Sequence, residues 1–246
     1  MRLAIISDIH GNLPGFEACL REASSLRAER LVLLGDLVGY GPDPEAVTRR
    51  AMELTMAGAI TIKGNHDDAI GTNDAGMNAV AAEAIRWTRN QLSPDAKEFL
   101  STRPLIAELA DLLLVHADAS APSRWNYVTN AASAHRSLTS TKKKITLCGH
   151  VHVPQLYCLT ATGKLVGHTP ASGTPLPLPE QRQWLAVVGS AGQPRDGNPA
   201  AAFATYDTTT REIVFRRAPY DVEGVAARIR AAGLPDSLAA RLLVGR

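Results

Sequence analysis

Apolar residues fall in short continuous runs, separated early in the chain by segments with a helical period. The runs cover 3–6, 31–34, 59–62, 112–115, 145–148, 185–188, 202–206 and 212–215. Runs this short and unbroken predict strands buried on both faces. Asn12 is placed to cap a helix, with Pro14 in its first turn and Phe16, Leu20, Ala23 and Leu26 on one face. Asp43-Pro44 opens a second helix, residues 77–92 form a third, and Ser93-Pro94 starts a fourth. The order βαβαβ, then helices, then mostly strands predicts an α/β core with an antiparallel-rich second half. Residues 167–183 carry Pro170, Pro175, Pro177 and Pro179 and read as a loop within the domain. Residues 221–246 read as two short helices broken at Gly233-Leu234-Pro235. One domain over 1–246 is expected, with 220–246 a C-terminal helical tail packed on it.

Composition narrows the function classes. The 246 residues are 45% hydrophobic and 20% charged, as in an ordinary globular protein with a core of its own. Lys+Arg 26 minus Asp+Glu 24 leaves +2, without the basic field of a dedicated nucleic-acid-binding domain. Cys19, Cys148 and Cys158 are too few and too scattered for a disulfide framework. The N-terminal apolar run is too short for a signal peptide, and no segment approaches the ~20 apolar residues of a membrane span. A cytoplasmic protein with no membrane partner is expected, as a monomer or homodimer.

Candidate chemistry follows the apolar runs. They lead into Asp8-Ile9-His10, Gly35-Asp36, Gly64-Asn65-His66-Asp67, His116 and Gly149-His150-Val151-His152. Sites in open α/β sheets form beyond the carboxyl ends of strands. Five of the seven histidines lie in these motifs. In an extended segment residues two apart share a side, so Asp8 and His10 can face one ion together, and so can His150 and His152 if their segment is extended. Mixed nitrogen and oxygen donors suit manganese, iron, zinc or nickel better than calcium or magnesium. No cysteine joins the set, which excludes a zinc ribbon.

Taken together, these five motifs resemble the signature of the calcineurin-like metallophosphoesterases. Gly39-Tyr40-Gly41-Pro42-Asp43-Pro44 and Gly192-Gln193-Pro194-Arg195-Asp196-Gly197 are similar to segments of its small prokaryotic phosphodiesterase-like branch. The resemblance implies two facing mixed β-sheets flanked by helices, a four-layer α/β/β/α sandwich with a dinuclear centre at the strand ends. By resemblance, Asp8, His10 and His152 hold one metal, Asn65, His116 and His150 hold the other, and Asp36 bridges them. His66 stands beside the phosphate as general acid or electrostatic stabiliser. The implied cofactors are two divalent ions, manganese first, with iron, zinc or nickel as alternatives. The implied reaction is in-line attack on a small phosphoester by a metal-bridging hydroxide.

Asn12, Tyr40 and Arg195 are the candidate substrate contacts. The helix start after Asn12 is expected to offer backbone N–H groups to the anion. Arg195 is placed to fork onto a phosphate, with a solvated turn as the alternative reading. Trp125 and Tyr127 are read either as a substrate wall or as core. Asp67 and Asp68 are read as caps or orienting groups, and His135 and His168 as bystanders. Protein serine/threonine phosphatases of the superfamily carry Val-Asp-Arg-Gly after the bridging aspartate and end the next motif in Glu. Here Leu37-Val38-Gly39-Tyr40 follows Asp36 and the next motif ends in Asp67, which disfavours phosphoprotein substrates. The expected function is a metal-dependent phosphodiesterase of nucleotides or other small phosphoesters. The alternatives are a pyrophosphohydrolase of dinucleoside polyphosphates and a non-catalytic scaffold of the same fold.

Overall fold

The apolar run after Met1 forms β1 (Arg2–Ile6), and its alternation decides which layers it separates. Leu3 and Ile5 point into one buried cluster and Ala4 and Ile6 into another, because successive strand side chains face opposite ways. The computed structural model describes residues 1–72 and 76–246. Along the chain, β1 is followed by α1 (Leu13–Ser25), β2 (Arg30–Leu33), α2 (Pro44–Met56), β3 (Ile60–Thr61) and α3 (Asn65–Gly71). Next come α4 (Ala79–Gln91), α5 (Pro94–Thr102), β4 (Ile106–Leu109), β5 (Leu112–Val115), α6 (Ala131–Thr139) and β6 (Ile145–Cys148). The second half holds β7 (Gln155–Leu159), β8 (Leu165–His168), β9 (Pro175–Pro177), β10 (Gln183–Val187), β11 (Ala201–Asp207) and β12 (Glu212–Ala218), then α7 (Val222–Ala231) and α8 (Asp236–Val244).

Among the described residues the strands form two six-stranded sheets, ordered β3-β2-β1-β11-β12-β9 and β4-β5-β6-β10-β7-β8. Leu3, Ile5, Val32 and Leu34 of the first sheet meet Leu112, Leu114, Ile145 and Leu147 of the second in a buried inter-sheet core. The outer face of the first sheet packs Ala4, Ile6, Leu33 and Phe203 against Phe16, Cys19 and Leu20 of α1 and Val47 and Ala51 of α2. The outer face of the second packs Val115, Cys148, Leu185 and Val187 against Ala134 and Leu138 of α6. This is the four-layer α/β/β/α sandwich with two mixed sheets.

The site-bearing strands are the parallel ones. β1, β2 and β3 run parallel, with Ile6 level with Leu33 and Leu33 level with Thr61. In the other sheet β5, β6 and β10 run parallel, with Leu114 beside Leu147 and Cys148 beside Val187. Six strand ends therefore open on one rim of the sandwich.

Several elements depart from the sequence reading. β4, β7, β8 and β9 were not among the apolar runs. β9 lies within the segment read as a loop. Its prolines are tolerated because it is an edge strand that pairs only with β12. The third helix starts at Ala79, where the Asn78 side chain accepts the Ala81 N–H. Asn65, read as part of a strand-end motif, opens α3. The tail helices form as expected, with the break at Gly233 (φ +71°). They pack Val225, Ile229, Leu238 and Leu242 with Tyr40 and with Ala81 and Ala84 of α4. No helix among the described residues is long and apolar enough to cross a membrane.

Candidate active site

The segments beyond the strands are turned, not extended. Asp8, His10, His150 and His152 have φ of 54°, 51°, 67° and 64°, in the left-handed region. Neither pair is extended: Asp8 and His10 still reach one cluster of donors, whereas His150 and His152 fall in different clusters. Among the described residues, seven of the ten non-glycine residues with positive φ lie at this rim: these four with Asp36, Tyr40 and Trp125. Such strain persists where surrounding bonds over-determine it, and it concentrates at functional sites. Those bonds are visible here. The loop after β1 is laced to the loop after β2 by Asp8 N–H to Gly35 O (3.1 Å), His10 N–H to Asp36 O (2.9 Å) and Gly11 N–H to Leu37 O (2.8 Å). The two sheets are tied by the His150 N–H donating to the Asp8 carboxylate at 2.9 Å. Gly149 makes that approach possible, since a Cβ there would land on Ser7 Oγ and Asp8 Oδ2.

All seven expected metal-ligating residues and His66 come together at this rim. Among the described residues, Asp8, His10 and His152 form one cluster with ligand atoms within 4.8 Å of one another, Asp36, His116 and His150 form another, and His10, Asp36 and His66 form a third that shares a member with each. Asp36 Oδ2 stands between the first two, 3.6 Å from His10 Nε2 and 3.3 Å from His116 Nε2.

The histidines are oriented from behind by backbone carbonyls. His10 Nδ1 lies 3.1 Å from Val38 O, His116 Nδ1 2.7 Å from Leu34 O and His152 Nδ1 2.6 Å from Gln193 O. A carbonyl only accepts, so each Nδ1 donates to it and each Nε2 is turned inward. Those Nε2 atoms face other potential acceptors: His10 Nε2 lies 3.0 Å from His152 Nε2, and His116 Nε2 3.2 Å from Asn65 Oδ1. His150 is oriented the other way round, with Nε2 2.9 Å from Trp125 O, which leaves Nδ1 as its acceptor. Acceptors converging at hydrogen-bond distance are repulsive unless a cation or proton stands between them. The donor set thus fits divalent cations, with outer carbonyls fixing the rings as at metal sites generally.

The electrostatics agree. Burial disfavours charge on Asp8, but His152 and His116 outweigh it and hold its carboxyl well below the usual range. Burial likewise opposes charge on Asp36, and His116 and His66 overcome it. Burial holds His66 down to about 4 and His150 to about 3. For His116 burial is outweighed by Asp36, which pushes it up to about 9.

The rim opens on a cleft of about 570 Å³ that includes Tyr40, Asn65, His66, Arg124, Trp125, Tyr127 and His150 in its lining. Tyr40 packs on His66 with ring centroids 4.5 Å apart. Arg195 lies over the Tyr40 ring and donates to Gln193 Oε1 at 2.7 Å. Asn12 is turned away from the cleft. It is 1% exposed, its Oδ1 accepts the Gly15 N–H, and its Nδ2 donates to Gly192 O and Tyr220 Oη. The start of α1 offers no N–H to an anion either. Leu13 N–H goes to Asp43, Pro14 has none, and Gly15 and Phe16 are bonded to Asn12. Asn12 is therefore a cap. Asp67 accepts from Gly64, Leu37 and Val38 N–H, which locks the Asp36 loop onto α3, and Asp68 pairs with Lys63. His135 and His168 lie on α6 and β8, outside these clusters. The sequence reading missed Gln193 and Arg124.

His66 is seated by Gly39 (φ +89°), where a Cβ would land on His66 Nδ1. Gly39→Ala is expected to destabilise the fold by about 1 kcal/mol or more. Displacement of the ring should cut turnover on the order of 10²-fold. Thermal melts and kcat of the variant check this, and unchanged values for both would mean that the ring has room to spare.

Comparison with known proteins defines the class. The calcineurin-like phosphoesterase superfamily domain matches residues 1–211, and the chain belongs to that family of phosphoester hydrolases. The crystal structure of a metallophosphoesterase from Sphaerobacter thermophilus superposes with a TM-score of 0.88 at 33% identity, over 100% of this chain and 99% of that one. The uncharacterized protein MJ0912 of Methanocaldococcus jannaschii is 29% identical over 99% of this chain and 98% of its own length. Phosphodiesterase YfcE of Escherichia coli is 35% identical over 78 residues, 28% of this chain and 42% of that protein.

Proposed function

We propose that the protein is a dinuclear metal-dependent phosphodiesterase acting on nucleotides or other small phosphoesters. The observation that carries this reading is the cage of inward-facing acceptors, made complete by cations, on the floor of a cleft lined by His66. Asp8, His10 and His152 would hold one ion, Asn65, His116 and His150 the other, and Asp36 would serve both. When bound, such ions clamp phosphate oxygens and lower the pKa of water. Asn65 is neutral, which limits the negative charge facing an incoming phosphate. His66 enters neutral because burial holds its pKa down. An arriving phosphate anion favours its protonated form, so the ring takes up a proton from solvent as substrate binds and holds it for the leaving oxygen. Tyr40 packs on that ring, and Arg195 lies over Tyr40. The stretch of similarity to YfcE supports the diesterase preference. Manganese is the first candidate metal, with iron, zinc and nickel next.

The chain is read as one domain over 1–246, its tail seated on Tyr40 and α4. It is read as a cytoplasmic monomer or homodimer. Its three cysteines are unpaired and buried, which supports that compartment. The test of function is hydrolysis of bis(p-nitrophenyl) phosphate with Mn²⁺ supplied, beside a phosphoserine peptide. Diester turnover with little peptide turnover is expected, and efficient peptide dephosphorylation would overturn the reading.

Metal removal tests the centre. With metal 100-fold above its Kd, binding stabilises by about 2.7 kcal/mol. At ~2–4 °C per kcal/mol for a chain of this size, chelation should lower Tm by roughly 5–11 °C, reversibly. The pH dependence follows from His116. In the metal-free fold its pKa is raised from 6.5 to about 9. That proton stabilises the metal-free fold fully below 6.5, and the contribution is lost as pH rises through 9. A cation must displace the same proton, so apparent metal affinity should rise by up to tenfold per pH unit between about 6.5 and 9. Metal titrations at several pH values check this, and a flat profile would contradict it.

A further inference from the structure

The cleft is several times larger than a phosphoryl group and falls in the ~300–1,000 Å³ range of small-molecule sites. Its lining beyond the acceptor cage is uneven. Arg124, Trp125 and Tyr127 come from the one loop between β5 and α6. Tyr127 stacks one ring face on His150, with centroids 4.0 Å apart and planes 19° apart, yet the residue is 53% exposed. An aromatic ring propped on one side and open on the other is a stacking platform. Trp125 lines the same cleft, edge-on to His116 at 6.0 Å, in a left-handed conformation (φ +54°) that delivers its carbonyl to His150.

The loop is also anchored. Buried Asp118 accepts from Ser120 N–H and from Arg136 of α6 at 2.7 Å, and its own N–H donates to Asn126 O. Val128, 1% exposed, pins the far end. The aromatic wall is thus preorganised. Arg124 is exposed and lines the same cleft.

We propose that Arg124, Trp125 and Tyr127 form a subsite for a nucleoside phosphate, the base stacking on the aromatic pair and a further phosphate meeting Arg124. The subsite rests on the phosphodiesterase reading only in taking the reacting phosphate to the acceptor cage. It narrows the substrate class from small phosphoesters to those bearing a planar base.

AMP and ribose 5-phosphate differ only in the base, and ADP adds one phosphate to AMP. Calorimetry on the full chain with Mn²⁺ supplied is expected to show AMP binding about tenfold tighter than ribose 5-phosphate, within the range that stacking on aromatics gives. Tyr127→Leu should erase that difference and Tyr127→Phe keep it. Arg124→Gln should weaken ADP about fivefold and leave AMP within about twofold. Equal affinities for AMP and ribose 5-phosphate in the wild type would overturn the subsite. So would a Tyr127→Leu variant that weakens both alike, because Tyr127 would then only prop His150. An Arg124→Gln variant with unchanged ADP affinity would remove Arg124 from it. A protein that prefers AMP yet fails to hydrolyse bis(p-nitrophenyl) phosphate would sink the functional reading and leave the subsite standing. Diester hydrolysis without base preference would do the reverse.

Discussion

Asp36→Asn is expected to reduce diester hydrolysis more than any other single substitution, by on the order of 10³-fold or more. Asp36 Oδ2 lies within 3.6 Å of the inward-facing nitrogens of both His10 and His116, so one side chain serves both clusters. Metal ions contribute several kcal/mol to transition-state stabilisation, and each 1.36 kcal/mol is tenfold in rate. An amide keeps the size and one acceptor oxygen but carries no charge to shield two cations from each other. Metal content by elemental analysis should fall below two per chain. The Asp36 Oδ1 bond from the His66 N–H, 2.8 Å in the wild type, can survive in the amide, so the fold should persist. An Asp36→Asn protein with full metal content and near-normal turnover would remove Asp36 from the bridging role.

His66→Ala is expected to separate chemistry from metal binding. General acid–base groups contribute typically 10²–10⁴-fold, and a loss in that range is expected for poor leaving groups such as alkoxides. For activated nitrophenolates, which need little protonation, the loss should be smaller. Metal content should stay at the wild-type level, because the seven proposed ligands and the Asp36 bond from the His66 backbone N–H are left in place. A leaving-group series on the variant decides the matter. An equal penalty across the series would reduce His66 to a phosphate contact, and a fall in metal content would make it part of the centre. The role of Tyr40, 4.5 Å from that ring, follows the same logic, since its contribution should register only through His66.

The sequence was most legible where residue type and strand end coincide. Asp8, His10, Asp36, Asn65, His116, His150 and His152 stand out because aspartate, asparagine and histidine follow apolar runs with little between. The strands bearing them were legible for the same reason: both faces are buried, so the runs are unbroken. β4 alternates between exposed and half-buried positions, and β9 is a proline-bearing edge, so neither left a run to find. Asn12 misled because a cap and a ligand use the same side chain. Only the burial and the Gly15, Gly192 and Tyr220 partners separate the two.

The amino-acid sequence by itself determined which donors exist, the strand ends they follow and the phosphoesterase signature they spell. Tertiary structure decided how those donors are aimed. The left-handed turns at Asp8, His10, His150 and His152 replace the extended geometry that spacing implied, and they are imposed by bonds between loops far apart in sequence. Val38, Leu34, Gln193 and Trp125 fix the tautomers of four histidines through carbonyl oxygens, which every residue type possesses. A backbone acceptor leaves no mark in the sequence. Its direction exists only once two sheets have packed and brought their strand ends to one rim.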